Sequence, residues 1–245
     1  MSNSNTYLVV LLASGLACIV TSLGIYVINK YADWGNRNVA YFMSFAAGVL
    51  ISVSLMHIIP KSISMNDQAP VYILIGFMGM YITNRFLSMY ICHDRDCENL
   101  TIGIIPMVGI GIHSFIDGVI YSVTFNVSVF TGVLAAIGMV LHEFPEGIVT
   151  FLLLERGGFS RKKAVLWSGL AAAISTPLGT LISYPFINTI SRSNLGLLLA
   201  LSSGALLYVG ATHLLPSVEK ENKKYTIFSM LVGIIVAVII VISKG

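Results

Sequence analysis

Residues 113–119 read HSFIDGV and residues 142–148 read HEFPEGI, each inside a run apolar enough to cross a bilayer. A charged side chain at the centre of a membrane helix costs about 2.5–3.5 kcal/mol on insertion scales, so ionisable residues there are candidates for function. The chain around them has 245 residues, 56% hydrophobic and only 10% charged, whereas a soluble domain carries about a quarter charged residues. A mean hydropathy of +0.86 agrees, and the expectation is an all-α integral membrane protein whose first partner is the lipid bilayer.

A bilayer core requires about 20 apolar residues per helix. Runs of that kind fall near 7–28, 39–60, 71–91, 101–124, 131–154, 163–187, 195–217 and 225–243, which predicts eight transmembrane helices in one domain. No basic region precedes the first run, which is itself long enough to span, so no cleavable signal is expected. With the N-terminus outside, the inner loops collect Lys30, Arg37, Arg85, Arg95, Arg156, Arg161, Lys162, Lys163, Lys220, Lys223 and Lys224, eleven of the fourteen basic residues. Cationic loops stay on the cytoplasmic side. A multi-pass protein of a cell membrane with both termini extracytoplasmic is therefore predicted. The net charge of +3 reflects this topology, and nothing points to nucleic acid. Cys18, Cys92 and Cys97 make no disulfide framework.

The second and seventh runs echo each other. SFAAGVLISVSLMHIIP (44–60) aligns without gaps on ALSSGALLYVGATHLLP (200–216), matching Gly48 to Gly204, His57 to His213 and Pro60 to Pro216. The fourth and fifth echo likewise, His113, Asp117 and Gly118 matching His142, Glu146 and Gly147. On the topology above, the second span runs outward and the seventh inward. The eight spans then form a 3+2+3 inverted repeat, an arrangement that places substrate at the repeat interface near mid-membrane.

Asp117, Glu143 and Glu146 are the carboxylates deep within spans, and they share the fourth and fifth with His113 and His142. His113 and Asp117 lie four residues apart, as do His142 and Glu146, so each pair occupies one helical face. The short link near 125–130 makes the two helices antiparallel neighbours, and their five side chains can converge. Imidazole and carboxylate together suit a borderline dication such as Zn²⁺, Fe²⁺, Mn²⁺ or Cd²⁺. An all-oxygen site would point to Mg²⁺ or Ca²⁺. The ion is expected as transported substrate, and no cofactor is expected. Pro145, inside the fifth span, frees the carbonyl of Leu141 and opens space beside the site.

His57 lies toward the outer end of its span and His213 toward the inner end of its own, which marks a pathway through the central site. For either histidine alone the plainer reading is a hydrogen bond between packed helices. Met43, Met56 and Ser52 are read as lining the outer half. The loop CHDRDCE (92–98) is read as an ordinary solvated loop, although it could receive a departing ion. Gly76 and Gly79, like Gly103 and Gly111, are read as sites of close helix packing.

These motifs resemble those of the ZIP (Zrt-/Irt-like protein) family of divalent-metal transporters, over nearly the whole chain. HSFIDGV resembles that family's fourth-helix HNxPEG or HNFTDG motif, HEFPEGI its fifth-helix motif, and STPLG (175–179) its sixth-helix xEPLG. The resemblance implies that His113, Asp117, His142 and Glu146 form the principal transport site. It places Ser114, Asp117, Glu143, Glu146 and Thr176 where some members build a second metal site. Here Ser114 replaces the usual Asn, Ile116 the common Pro, and Thr176 a Glu of many bacterial members, so that second site lacks one carboxylate and one amide. The resemblance also implies a homodimer and alternating access by an elevator-like motion.

The expected function is uptake of Zn²⁺ and other divalent ions toward the cytoplasm, and not enzymatic catalysis. The competing reading is an intramembrane zinc hydrolase. HEFPE resembles the HExxH helix of zinc metalloproteases, with Glu146 where the second zinc-binding His would stand. That missing His and the echoed motif in the fourth span disfavour it.

Overall fold

The computed structural model describes residues 3–86, 97–127, 129–220 and 223–242. Among them the chain is helical, and its elements follow the apolar runs. In order these are α1 (Asn3–Lys30), α2 (Ala32–Arg37), α3 (Val39–Val53), α4 (Ile59–Met65), α5 (Ala69–Phe86), α6 (Cys97–Val127), α7 (Val129–Arg156), α8 (Arg161–Ser168), α9 (Ser175–Ser183), α10 (Arg192–Tyr208), α11 (Leu215–Glu219) and α12 (Thr226–Ile242). Long, apolar helices able to cross a membrane cover Thr6–Lys30, Val39–Met65, Thr101–Asn126, Arg161–Ile187 and Arg192–Leu214, with Thr226–Ile239 a shorter apolar helix. The runs predicted near 71–91 and 131–154 coincide with α5 and α7, residues 87–91 lying outside the described set.

Three of these rods are continuous only because a wide turn bridges two α segments. π-helical turns at Ser54–Ile58, Gly169–Ile174 and Val209–Leu214 join α3 to α4, α8 to α9 and α10 to α11. Each precedes a proline in the next segment: Pro60, Pro177 and Pro216. Proline has no amide to give to the carbonyl four residues back, and a π turn is one way a helix absorbs that loss without breaking. This is why the second run extends to Met65 and does not stop at Pro60.

Elsewhere the ends are punctuated by local chemistry. Gly158, at φ +85°, closes α7: Phe159 N–H donates to Leu154 O at 3.0 Å and Gly158 N–H to Glu155 O at 3.0 Å. That paired bonding is the glycine-terminated C-cap that turns a chain out of a helix. Ser191 starts α10, its Oγ accepting from Asn194 N–H at 3.1 Å, as an N-cap serine should.

The helices sort into two groups. In the first, α7 packs on α1 and α6, and α6 on α9; in the second, α10 packs on α5 and α12 on α3. Within each group the backbones touch. A Cβ placed on Gly118 would lie 2.1 Å from Thr176 O, and one on Gly179 would lie 2.0 Å from Phe115 O, so α6 and α9 close to backbone contact. Small residues permit that approach, and hydroxyls seal it. Thr180 Oγ1 donates to Gly118 O at 3.1 Å, and Ser183 Oγ to Ser122 Oγ at 2.9 Å. Gly76 meets Leu201 O in the same way, whereas Gly79 faces open space and contributes no close packing.

Polar residues collect at the rod ends. Asn36 donates to Glu155, Arg161 pairs with Asp33 at 3.0 Å and Glu155 at 3.3 Å, and Lys223 donates to the Arg37 carbonyl. Loops predicted to share one side thus meet at one end of the molecule. At another place, away from these, Asn66 Nδ2 donates to Ser193 Oγ at 2.6 Å. Met43 is buried, with Arg156 Nη1 3.8 Å from its sulfur, and so belongs to the first of these ends. Met56 is exposed on the helix surface.

Candidate functional site

His113, Ser114 and Asp117 occupy successive positions on one flank of α6, and Glu143 and Glu146 lie on α7 beside it. All five are buried. The four-residue spacing brings His113 Nε2 to 3.7 Å from Asp117 Oδ2, and the antiparallel neighbour brings Glu146 Oε1 to 3.6 Å from the same nitrogen. Ser114 Oγ donates to Ile110 O at 3.0 Å and stands 3.5 Å from Glu146 Oε2. His142 lies in α7, and its side chain is outside the described set.

Among the described residues no three His, Cys, Asp or Glu side chains are gathered tightly enough to hold an ion as they stand. The geometry nevertheless has the right scale. Ligands about 2.0–2.2 Å from a tetrahedral ion lie about 3.3–3.6 Å from one another. The separations from His113 Nε2 to Asp117 and to Glu146, 3.7 and 3.6 Å, lie at or just above the top of that range.

Further contacts of the group come from helices on which the sequence motifs place less emphasis. Glu143 accepts from Thr21 Oγ1 of α1 at 2.5 Å and from Thr176 Oγ1 of α9 at 3.1 Å. His113 Nδ1 lies 3.1 Å from Ser202 Oγ of α10. That bond leaves Nε2 facing the carboxylates, as a partner on one imidazole nitrogen does for a ligand using the other. Thr176 was expected beside the site. Thr21 and Ser202 were not, because a hydroxyl in an apolar helix ordinarily donates back to its own backbone. The signal available for Thr21 was the pattern Thr-x-Leu-Gly, which occurs at 21–24 and again at 176–179.

His57 and His213 lie on the second and seventh apolar runs, in α3–α4 and α10–α11. Both are partly exposed and both lie in π turns, Ser54–Ile58 and Val209–Leu214. His213 Nδ1 lies 3.3 Å from Thr212 Oγ1, and its ring is 5.3 Å from that of Tyr208. The loop residues Cys92, His93, Asp94, Arg95 and Asp96 lie outside the described set.

Pro145 lies inside α7 and lines two cavities along the boundary between the helix groups. The smaller, about 20 Å³, is walled by Phe45, Leu50, Ile110, Pro145 and Glu146 among others. The larger, about 490 Å³, opens between Trp34, Tyr41, Phe45, Phe144, Pro145 and Ser229. Space beside the kink-prone residue is where the sequence placed it.

Comparison with known proteins agrees with the motifs. The family model described as ZIP Zinc transporter matches residues 5–99 and 92–241. The zinc transporter ZupT of Escherichia fergusonii is 28% identical over 214 residues, covering 78% of this chain and 82% of that protein. ZupT of Shigella dysenteriae is 27% identical over 218 residues, covering 82% and 83%. An uncharacterized protein of Methanocaldococcus jannaschii is 26% identical over 206 residues, covering 81% and 83%. The hydrolase reading of HEFPE is set aside by this match, since the chain belongs to the ZIP zinc transporter family, a family of multi-pass membrane transporters and not of enzymes.

Proposed function

We propose that the chain carries Zn²⁺ toward the cytoplasm through a site made by His113, Asp117, His142 and Glu146, with Glu143 adjoining. Fe²⁺, Mn²⁺ and Cd²⁺ suit the same donors and compete for them. The observation that carries this reading is His113 Nε2 held 3.6–3.7 Å from two buried carboxylates on two helices. A dication between them offsets charge that hydrocarbon surroundings penalise. The named relatives are zinc transporters.

The frame for that transport is eight spans in a 3+2+3 inverted repeat, with both termini extracytoplasmic. The matched second and seventh spans support it, for each has its π turn at the echoed histidine. The glycine contacts are reciprocal as well. Gly48 abuts Met230 O of α12 while its match Gly204 abuts Ile73 O of α5. In the proposed cycle the ion enters past His57, and the first helix group moves against the second along the cavity-lined boundary. The ion then leaves past His213. The protein assembles as a homodimer, as the family resemblance implies.

Metal uptake into proteoliposomes tests the assignment. His142→Ala and Glu146→Ala should each abolish saturable zinc uptake while the purified protein stays folded in detergent. Unchanged zinc uptake by both variants would overturn it.

A further inference from the structure

Glu143 is 0% exposed, and each of its oxygens accepts from a threonine on a different helix. Thr21 Oγ1 lies 2.5 Å from Oε2, and Thr176 Oγ1 lies 3.1 Å from Oε1. The two donors sit in the same local device. Thr21 is followed by Ser22, Leu23 and Gly24, and Thr176 by Pro177, Leu178 and Gly179. A Cβ on Gly24 would lie 2.5 Å from Phe144 O, and one on Gly179 would lie 2.0 Å from Phe115 O. In return a Cβ on Gly147 would lie 2.6 Å from Thr21 O, and one on Gly118 would lie 2.1 Å from Thr176 O. Each Thr-x-x-Gly face is therefore pressed onto the Phe-x-x-Gly face of a site helix. Both copies aim a hydroxyl at one carboxylate.

A threonine hydroxyl has one proton to give. Thr21 Oγ1 also lies 3.0 Å from Ala17 O, its usual acceptor within the helix. The Glu143 oxygen is the nearer of its two acceptors. A cation approaching Glu143 from the side of α1 and α9 would meet two hydroxyl protons. Both oxygens of the carboxylate are hydrogen-bonded there by the protein, three residues before Glu146 on α7.

We propose that Thr21 and Thr176 are paired positioning residues, a hydroxyl clamp on Glu143 that fills the place a second cation would need. The site then holds one divalent ion per chain. This inference rests on the reading that His113, Asp117, His142 and Glu146 bind the transported ion and that Glu143, adjoining them, supplies a further oxygen to it.

The test uses the full-length protein purified in detergent and the same protein in proteoliposomes, with Zn²⁺ as the probe. Equilibrium dialysis followed by elemental analysis should find one zinc per chain. Thr21→Val and Thr176→Val keep the branched shape and delete the hydroxyl. Each should raise the KM for zinc roughly tenfold, the effect of losing a group that orients a ligand, with Vmax kept within about twofold. Thr21→Ser and Thr176→Ser should restore the parental KM, which a purely steric role would not predict. Thr176→Glu should raise the bound zinc to two per chain. Two zinc ions on the unmodified protein overturn the clamp. So does an unchanged KM in both Val variants, or in the serine variants a raised KM. Should a Val variant fail to fold, the parental stoichiometry and the serine KM still decide. One bound zinc with unaltered Val variants would sink the clamp alone. No bound zinc on the unmodified protein would sink the transport site beneath it.

Discussion

Nε2 of His113 lies 3.6 Å from Oε1 of Glu146, so that an imidazole of α6 and a carboxylate of α7 share one buried space. Glu146→Gln retains the shape of that group and removes its charge. Zinc uptake should fall more than about 100-fold, beyond the 10–100-fold span seen when only an outer partner of a ligand is lost. Initial rates of metal entry into proteoliposomes measure it. A variant within tenfold of the parent would show that Glu146 is not a ligand.

Ser202 reaches His113 from the other helix group, Oγ to Nδ1 at 3.1 Å. Ser202→Ala should weaken zinc binding by roughly tenfold while the helices stay packed, because the ring loses the partner that fixes its orientation. Titration calorimetry on the purified protein reads the affinity directly. Parental affinity in this variant would mean that the hydrogen bond does not orient the ring.

Alanine at Gly179 or Gly118 places a methyl carbon about 2 Å from a backbone oxygen. Each should destabilise the protein by about 1–3 kcal/mol, the usual range for overpacking. Gly79, with nothing near its missing side chain, supplies the contrast. Gly79→Ala should be neutral or stabilising by up to about 1 kcal/mol, the helix-propensity difference. Thermal unfolding in one detergent compares the three, and equal melting temperatures would contradict the contacts.

Pro60→Ala and Pro216→Ala restore an amide donor. The π turn before each should relax toward regular α-helix, rotating His57 or His213 by about 100°, the angle of one residue. Melting temperature should hold or rise while uptake drops. Parental rates in both variants would remove these histidines from the ion's route.

Arg161 is half exposed where it meets Asp33, whose side chain is almost fully exposed. Such pairs contribute little. Asp33→Asn should leave the melting temperature unchanged within error.

What the sequence revealed follows from the physics of each signal. The apolar runs at 7–28, 39–60, 101–124, 163–187 and 195–217 became long helices, because in hydrocarbon a helix satisfies its backbone within a single segment. His113, Asp117 and Glu146 could be grouped because charge in such a run is conspicuous and four-residue spacing is strict. The second run, expected to end near 60, continues to Met65, since proline reads as a stop where the fold inserts a wider turn. Thr21 and Ser202 escaped for the opposite reason from the carboxylates. A hydroxyl on an apolar helix is common and self-satisfied, and Ser202 sits among alanines, glycines and serines that all read as packing. Only the repeated Thr-x-Leu-Gly could have pointed to the first, and nothing local to the second.

The glycines have one more implication. Gly24, Gly118, Gly147 and Gly179 press backbones together inside the first set of helices, and Gly48, Gly76, Gly204 and Gly233 do so inside the second. Where the sets face each other, Gly109 meets the side chain of Val209 instead. A backbone seam is stiffer than a contact between side chains. The distribution of a residue with no side chain thus ties each set of helices together more closely than Gly109 ties one set to the other.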